Sequence, residues 1–155
     1  MTVAEKLVEL LKAQRLTCAT AESCTGGGVG SAITAVPGSS AVFAGGVISY
    51  SNEVKRDVLG VDAEALDEFG AVSPEVAAQM AAGARRLLKT DLAVSLTGIA
   101  GPDGGSEEKP VGLVWFGLST AKGTRTEKAI FRGDRAQVRA QAVVHALGML
   151  TIGAT

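Results

Sequence analysis

Helix-period and strand-period stretches alternate through the first two thirds of the chain, and near its end two strand-like runs joined by a polar turn replace the alternation. Val3, Leu7, Val8, Leu10 and Leu11 recur at helical spacing before Gln14 and Arg15, which predicts an opening amphipathic helix. A short strand follows around Leu16 to Ala21. Thr25-Gly26-Gly27-Gly28-Val29-Gly30 then forms a tight strand-to-helix turn, and the helix through Ser31 to Ala35 ends at Pro37-Gly38. Phe43 to Tyr50 is a second strand, Asn52 to Leu59 a short helix, and Asp62 to Phe69 another turn or two. Ser73-Pro74-Glu75 places a hydroxyl at an N-cap, proline at the first helical position and an acid in the first turn, so a helix runs to about Lys89. Leu92 to Leu96 is a strand. Val111 to Ser119 and Lys128 to Phe131 flank the turn Ala121-Lys122-Gly123-Thr124 as a hairpin, and Asp134 caps a last helix of roughly four turns through Met149. This order implies an α/β fold with helices on both faces of a mixed sheet. There is no repeat, linker or low-complexity tract, so residues 1–155 read as a single domain.

Several function classes are excluded by composition. The 15 basic and 16 acidic residues leave a net charge of -1, with no excess to hold a nucleic-acid backbone. The N-terminus has an acidic residue and no long apolar run, so it is neither a leader nor a membrane span, and a cytoplasmic location is expected. The 155 residues are 46% hydrophobic and build a core without cross-links, so the two cysteines are expected as thiols. With one histidine, Cys18 and Cys24 cannot complete a zinc site of about four ligands. No metal site is expected.

Eight of the twenty glycines fall in two clusters, Gly26 to Gly30 and Gly98 to Gly105, and each follows a predicted strand. Loops at the carboxyl ends of strands are where open α/β sheets bind ligands. Glycines there let backbone amides approach an anion, or they simply make turns. Neither cluster spells a P-loop or a dinucleotide fingerprint. A second candidate is Ser39-Ser40 with Tyr50 and Lys55, which offers hydroxyl, phenol and amine without histidine. A serine nucleophile needs a base, and a lysine serves when burial or a nearby cation keeps its amine neutral. Serine at a turn is otherwise a cap, and lysine on a helix is otherwise solvated.

Other residues are weaker candidates. Ser106-Glu107-Glu108-Lys109 spells S-x-x-K, but Pro110 disfavours helix at Lys109 and the segment reads as a loop. His145 lies in an apolar helical stretch and reads as structural. Cys24, at a predicted helix N-terminus, is a possible low-pKa nucleophile without an evident base. Arg132, Arg135 and Arg139 surround the start of the last helix, where they are either ordinary surface charge or a source of one bidentate clamp for a phosphate.

The strings Ala21-Glu22-Ser23-Cys24-Thr25-Gly26-Gly27, Tyr50-Ser51-Asn52-Glu53, Gly98-Ile99-Ala100-Gly101-Pro102-Asp103-Gly104-Gly105 and Gly133-Asp134-Arg135, in this order, resemble the C-terminal domain of the CinA family, the nicotinamide mononucleotide deamidases. The resemblance implies a three-layer α/β/α sandwich around a mixed, mostly parallel sheet. It implies hydrolysis of nicotinamide mononucleotide to nicotinic acid mononucleotide and ammonia, with no metal or other cofactor, in a homodimer or higher homo-oligomer. By position it makes Ser40 the nucleophile, Lys55 the general base and Tyr50 an aid to proton transfer. Gly38, Ser39, Thr97, Gly98, Thr25 and Gly26 become ligand contacts, and Arg135, in preference to Arg139, meets the phosphate. The ring that stacks on nicotinamide is left among Phe43, Tyr50 and Trp115. The other reading is a non-catalytic nucleotide-binding module, since proteins with such domains are also named for competence and DNA damage.

Overall fold

The computed structural model describes residues 1–155. In chain order the elements are α1 (Val3–Gln14), β1 (Cys18–Glu22), α2 (Gly28–Thr34), a single 3-10 turn (Ser39–Ala41), β2 (Phe43–Ile48), α3 (Asn52–Asp57), α4 (Ala63–Phe69), α5 (Pro74–Leu88), β3 (Leu92–Gly98), β4 (Leu113–Thr120), β5 (Gly123–Ile130) and α6 (Arg135–Gly153). Local chemistry starts the helices where the sequence predicts. The Ser73 hydroxyl accepts from Val76 N–H at 3.3 Å ahead of Pro74. Asp134 accepts from Gln137 N–H at 2.9 Å while the Gln137 side chain accepts from Asp134 N–H at 2.8 Å, a reciprocal cap that satisfies two otherwise orphaned donors.

Several boundaries shift by two or three residues, as at β2, which ends at Ile48 before Tyr50, and two differ by more. The last helix continues past Met149 to Gly153, because Leu150 is fully buried in the same core as the preceding turns. The strand β5 begins at Gly123, well before the apolar run at Lys128. It is an edge strand whose polar residues face solvent, so its first half carries no hydrophobic signal.

The sheet order is β2-β1-β3-β4-β5. β1 pairs in parallel with both β2 and β3, while β4 runs antiparallel between β3 and β5. Four strands therefore share one direction and β4 opposes them. Side chains alternate across the sheet. Cys18, Leu92, Val94 and Leu96 pack against α1, α2 and α6. Ala19, Ala21 and Ala93 meet Val76, Met80 and Ala84 of α5 on the other face, which completes the three layers.

The α5 face of the sheet is built of small residues, and the helix backbone lies directly on it. The Ser95 hydroxyl donates to the Ala77 carbonyl, and a methyl group at Gly117 would lie 2.4 Å from that same oxygen. Replacing Gly117 with alanine is expected to push α5 off the sheet and cost about 1–3 kcal/mol. Urea unfolding of Gly117→Ala against the parent chain measures this; an unchanged midpoint would show that the helix can retreat freely.

Candidate functional site

The parallel registers bring three chain exits together at one sheet edge. Glu22, the last residue of β1, lies between Ile48 of β2 and Leu96 of β3. Ser23 N–H donates to Leu96 O at 3.1 Å, and Ser49 N–H donates to Glu22 O at 2.7 Å. Ser23, Ser49-Tyr50 and Thr97-Gly98 thus leave the sheet side by side.

The chain after Tyr50 turns at once into α3. Its cap is Ser51, whose hydroxyl accepts from Val54 N–H at 3.1 Å, and one turn on Lys55 points back beneath the strand exits. The Lys55 amine donates to Ser49 O at 2.8 Å and to Tyr50 O at 3.1 Å, and lies 3.1 Å from the Ser23 hydroxyl oxygen. Lys55 is 1% exposed, and burial pulls its pKa below the ordinary 10.5, since a charged amine is penalised away from water. When the amine is neutral, its two N–H bonds serve the two carbonyls and its lone pair is left for Ser23. That is the arrangement a general base requires.

An open cavity of about 290 Å³ lies over this pair, lined by Ser23, Lys55, Tyr50, Val72, Thr97 and Arg135 among others. Arg135, in the first turn of α6, donates to Gly101 O at 2.8 Å and to the Tyr50 hydroxyl at 3.3 Å. It has no carboxylate partner. No three metal-ligating side chains converge here or elsewhere in the chain.

Ser40 is not brought to Lys55. It belongs to the 3-10 turn before β2, and Lys55 follows the far end of that strand. The six residues of β2 separate the two by about 20 Å. Gly38 and Ser39 share this remote position, where Gly38 faces the Lys12 amine, so none of the three borders the cavity. The serine that meets Lys55 is Ser23.

The other expected site residues divide. Tyr50 lines the cavity, but its backbone carbonyl and not its phenol contacts Lys55. The Thr97 hydroxyl faces the site yet donates its proton to Ala71 O at 3.0 Å. Gly98 borders the cavity, and its close approach to β4 leaves no room for a side chain: a Cβ there would sit 2.6 Å from Val114.

Thr25 and Gly26 belong to a turn whose anion is the protein's own. The buried Glu22 carboxylate accepts from Thr25 Oγ1 at 2.6 Å, Val29 N–H at 2.8 Å and Gly30 N–H at 3.0 Å. The first glycine cluster is therefore filled by Glu22 and is not an open anion cradle. Arg139 stands behind the same turn, donating to Cys24 O at 3.0 Å and Thr25 O at 3.3 Å. Cys24 is buried, and burial pushes its thiol up to about 11, the reverse of the activation considered for it.

Among the aromatic candidates only Tyr50 lines the cavity. Phe43 starts β2 at the opposite edge, and Trp115 carries the Lys128 amine 5.5 Å from its ring centroid in a separate hollow. His145 stacks 4.2 Å from Phe116 and meets Glu127 at 3.2 Å, a structural placement. The Ser106-Lys109 segment closes on itself, Ser106 N–H donating to Lys109 O at 2.8 Å, as the loop reading predicts.

Val72 and Asp103 also line the cavity and Glu22 closes the turn, none of them singled out by the sequence, and the serine chosen by resemblance was Ser40 and not Ser23. The signal for Ser23 was present, because it directly follows a strand and so must stand at the carboxyl edge.

The nicotinamide-nucleotide amidohydrolase PncC of Escherichia coli strain K12 is 52% identical over 151 residues, 97% of this chain and 92% of that protein. A longer protein of Caldanaerobacter subterraneus, named for competence and damage induction, is 51% identical over 94% of this chain and 35% of its own length. The crystal structure of the competence/damage inducible protein CihA from Agrobacterium tumefaciens superposes with a TM-score of 0.94 at 43% identity, covering 98% of this chain and 93% of that one. A CinA superfamily structure from Klebsiella pneumoniae gives 0.94 at 36% identity, covering 98% and 95%. The model of the CinA C-terminal domain matches residues 1–152, and the chain belongs to that family.

Proposed function

We propose that the chain is a nicotinamide-nucleotide amidohydrolase that converts nicotinamide mononucleotide and water to nicotinic acid mononucleotide and ammonia. The class of reaction rests on the 52% identity to PncC. The mechanism rests on one observation, the buried Lys55 amine 3.1 Å from the Ser23 hydroxyl. In this reading Ser23 replaces Ser40 as nucleophile.

The steps follow from the donor geometry. Neutral Lys55 takes the Ser23 proton as Oγ bonds to the carboxamide carbon, and the carbonyl π electrons move to oxygen. Collapse of the tetrahedral adduct breaks the C–N bond, and the Lys55 ammonium protonates the departing amine, which leaves as ammonia. A water molecule then attacks the ester carbonyl, giving one proton to Lys55. The carboxylic acid leaves, Ser23 recovers its proton, and Lys55 is neutral again. Tyr50 supplies the one aromatic ring beside the cavity for the nicotinamide, and Arg135 holds an uncompensated guanidinium for the phosphate.

Ser23→Ala is expected to lower ammonia release from nicotinamide mononucleotide by at least about 10³-fold while the mononucleotide still binds, and Ser40→Ala to stay within about twofold. Coupled ammonia detection and calorimetry read both; full activity in Ser23→Ala overturns the assignment.

The pH dependence has a definite sign. Only neutral Lys55 accepts a proton, so kcat/KM rises with pH and levels off above an inflection that lies below 10.5. Lys55→Arg, whose guanidinium stays charged, should lack both the activity and the inflection. A rate that falls as pH rises through this range would exclude a lysine base.

A further inference from the structure

All three carbonyls of the Ser23–Thr25 turn are paired, whereas two of its amides find no partner residue. Ser23 O accepts from Gly26 N–H at 3.1 Å, and Thr25 O accepts from Gly28 N–H at 3.0 Å. Arg139 holds the Cys24 and Thr25 carbonyls, and Glu22 holds the Thr25 hydroxyl. The Cys24 amide meets only its own thiol and the Thr25 amide donates to nothing, although Cys24 is 6% and Thr25 2% exposed. Buried amides are nearly always paired, so two in succession without a partner residue directly after a nucleophile mark a place for an acceptor from outside the chain.

The direction of these amides follows from the layers. Arg139 belongs to α6, which packs on the Cys18 face of the sheet, whereas Lys55 approaches Ser23 from the element following β2. A trans peptide points its N–H opposite to its C=O. With Cys24 O turned to Arg139, Thr25 N–H is turned away from α6. Cys24 itself borders the cavity. The guanidinium charge on Cys24 O also polarises the peptide whose N–H is that of Thr25, making it a stronger donor.

We propose that Arg139 is a positioning residue: it grips the Ser23–Thr25 turn by its carbonyls so that the Cys24 and Thr25 amides meet the developing oxyanion, and it takes no part in binding the substrate phosphate. Glu22, at the end of β1, braces the turn by accepting from the Thr25 hydroxyl and from the first amides of α2. The inference rests on the amidohydrolase reading and assigns a second arginine a task different from that of Arg135. Donors already aimed at the charge that forms in the transition state raise kcat and leave ground-state affinity nearly alone.

Arg139→Met removes both donors at similar length. Its kcat on nicotinamide mononucleotide should fall about 100-fold with KM within about twofold. The riboside, which lacks the phosphate, should lose the same factor, so the preference for the mononucleotide is unchanged. Arg139→Lys, able to reach one carbonyl, should recover part of kcat. A raised KM with retained kcat, a collapse of the phosphate preference, or wild-type kinetics in Arg139→Met would each overturn the proposal. Should the variants not fold, the parent protein is treated with pyridine-3-boronic acid, which forms a tetrahedral anionic adduct on a serine. Downfield proton shifts of the Cys24 and Thr25 amides support the proposal, and unmoved amides in a formed adduct overturn it. A parent protein that neither releases ammonia nor forms the adduct refutes the amidohydrolase reading and this proposal together, whereas turnover with unmoved amides refutes the proposal alone.

Discussion

A lysine amine withdrawn from water is the constraint around which the rest of the site is arranged. Lys55 reaches Ser23 only because a link of three residues, Ser49 to Ser51, joins β2 to α3, with Ser51 capping the helix. The Ser49 and Tyr50 carbonyls that receive its protons come from that same exit. Burial makes the charged form costly, so the amine is shifted toward the state that can take a proton. A chain with one histidine, itself stacked on Phe116 and held by Glu127 outside the cavity lining, obtains a base by burying a lysine.

The glycines acquire a different meaning once the backbone is known. Gly28 and Gly30 sit where the chain wraps the Glu22 carboxylate, with Gly30 N–H donating to it directly. Gly98 lies against β4 too closely for any side chain. Both clusters stand at the edge where Ser23 and Lys55 meet: in the first, glycine leaves room for side chains such as Val143 and Ile48, and in the second Gly98 lets the backbones of two strands approach. The positive charge that faces the cavity from α6 is supplied by Arg135, one turn from the arginine that faces the turn instead. Two residues four apart on one helix can therefore serve opposite sides of the same strand exit.

Much of the site was within reach of the residue pattern. Lys55 follows from asking which group could act as a base when imidazole is absent, and Tyr50 from its place at the end of a strand. Ser40 shows where the reasoning failed. Spacing along the chain places it close to Lys55, but it precedes β2 while Lys55 follows it, and in a sheet a residue before a strand and a residue after it stand at opposite edges. Ser23 passes that test because it follows β1. The first half of β5 was missed for another reason: at an exposed edge the pairing is carried by backbone, and polar side chains leave no periodic trace.

The sequence by itself determined the alternation of helices and strands, the helix starts at Ser73 and Asp134, the metal-poor composition and the carboxyl-edge position of the glycine clusters, because these depend on periodicity, capping and residue chemistry that are local to the chain. Only the tertiary structure decided which serine meets Lys55, that Glu22 rather than a ligand fills the first glycine turn, and that Arg135 and Arg139 face different groups. Those choices depend on parallel strand register and on which layer each helix joins, and both are settled by packing between residues up to 115 positions apart, as between Arg139 and Cys24.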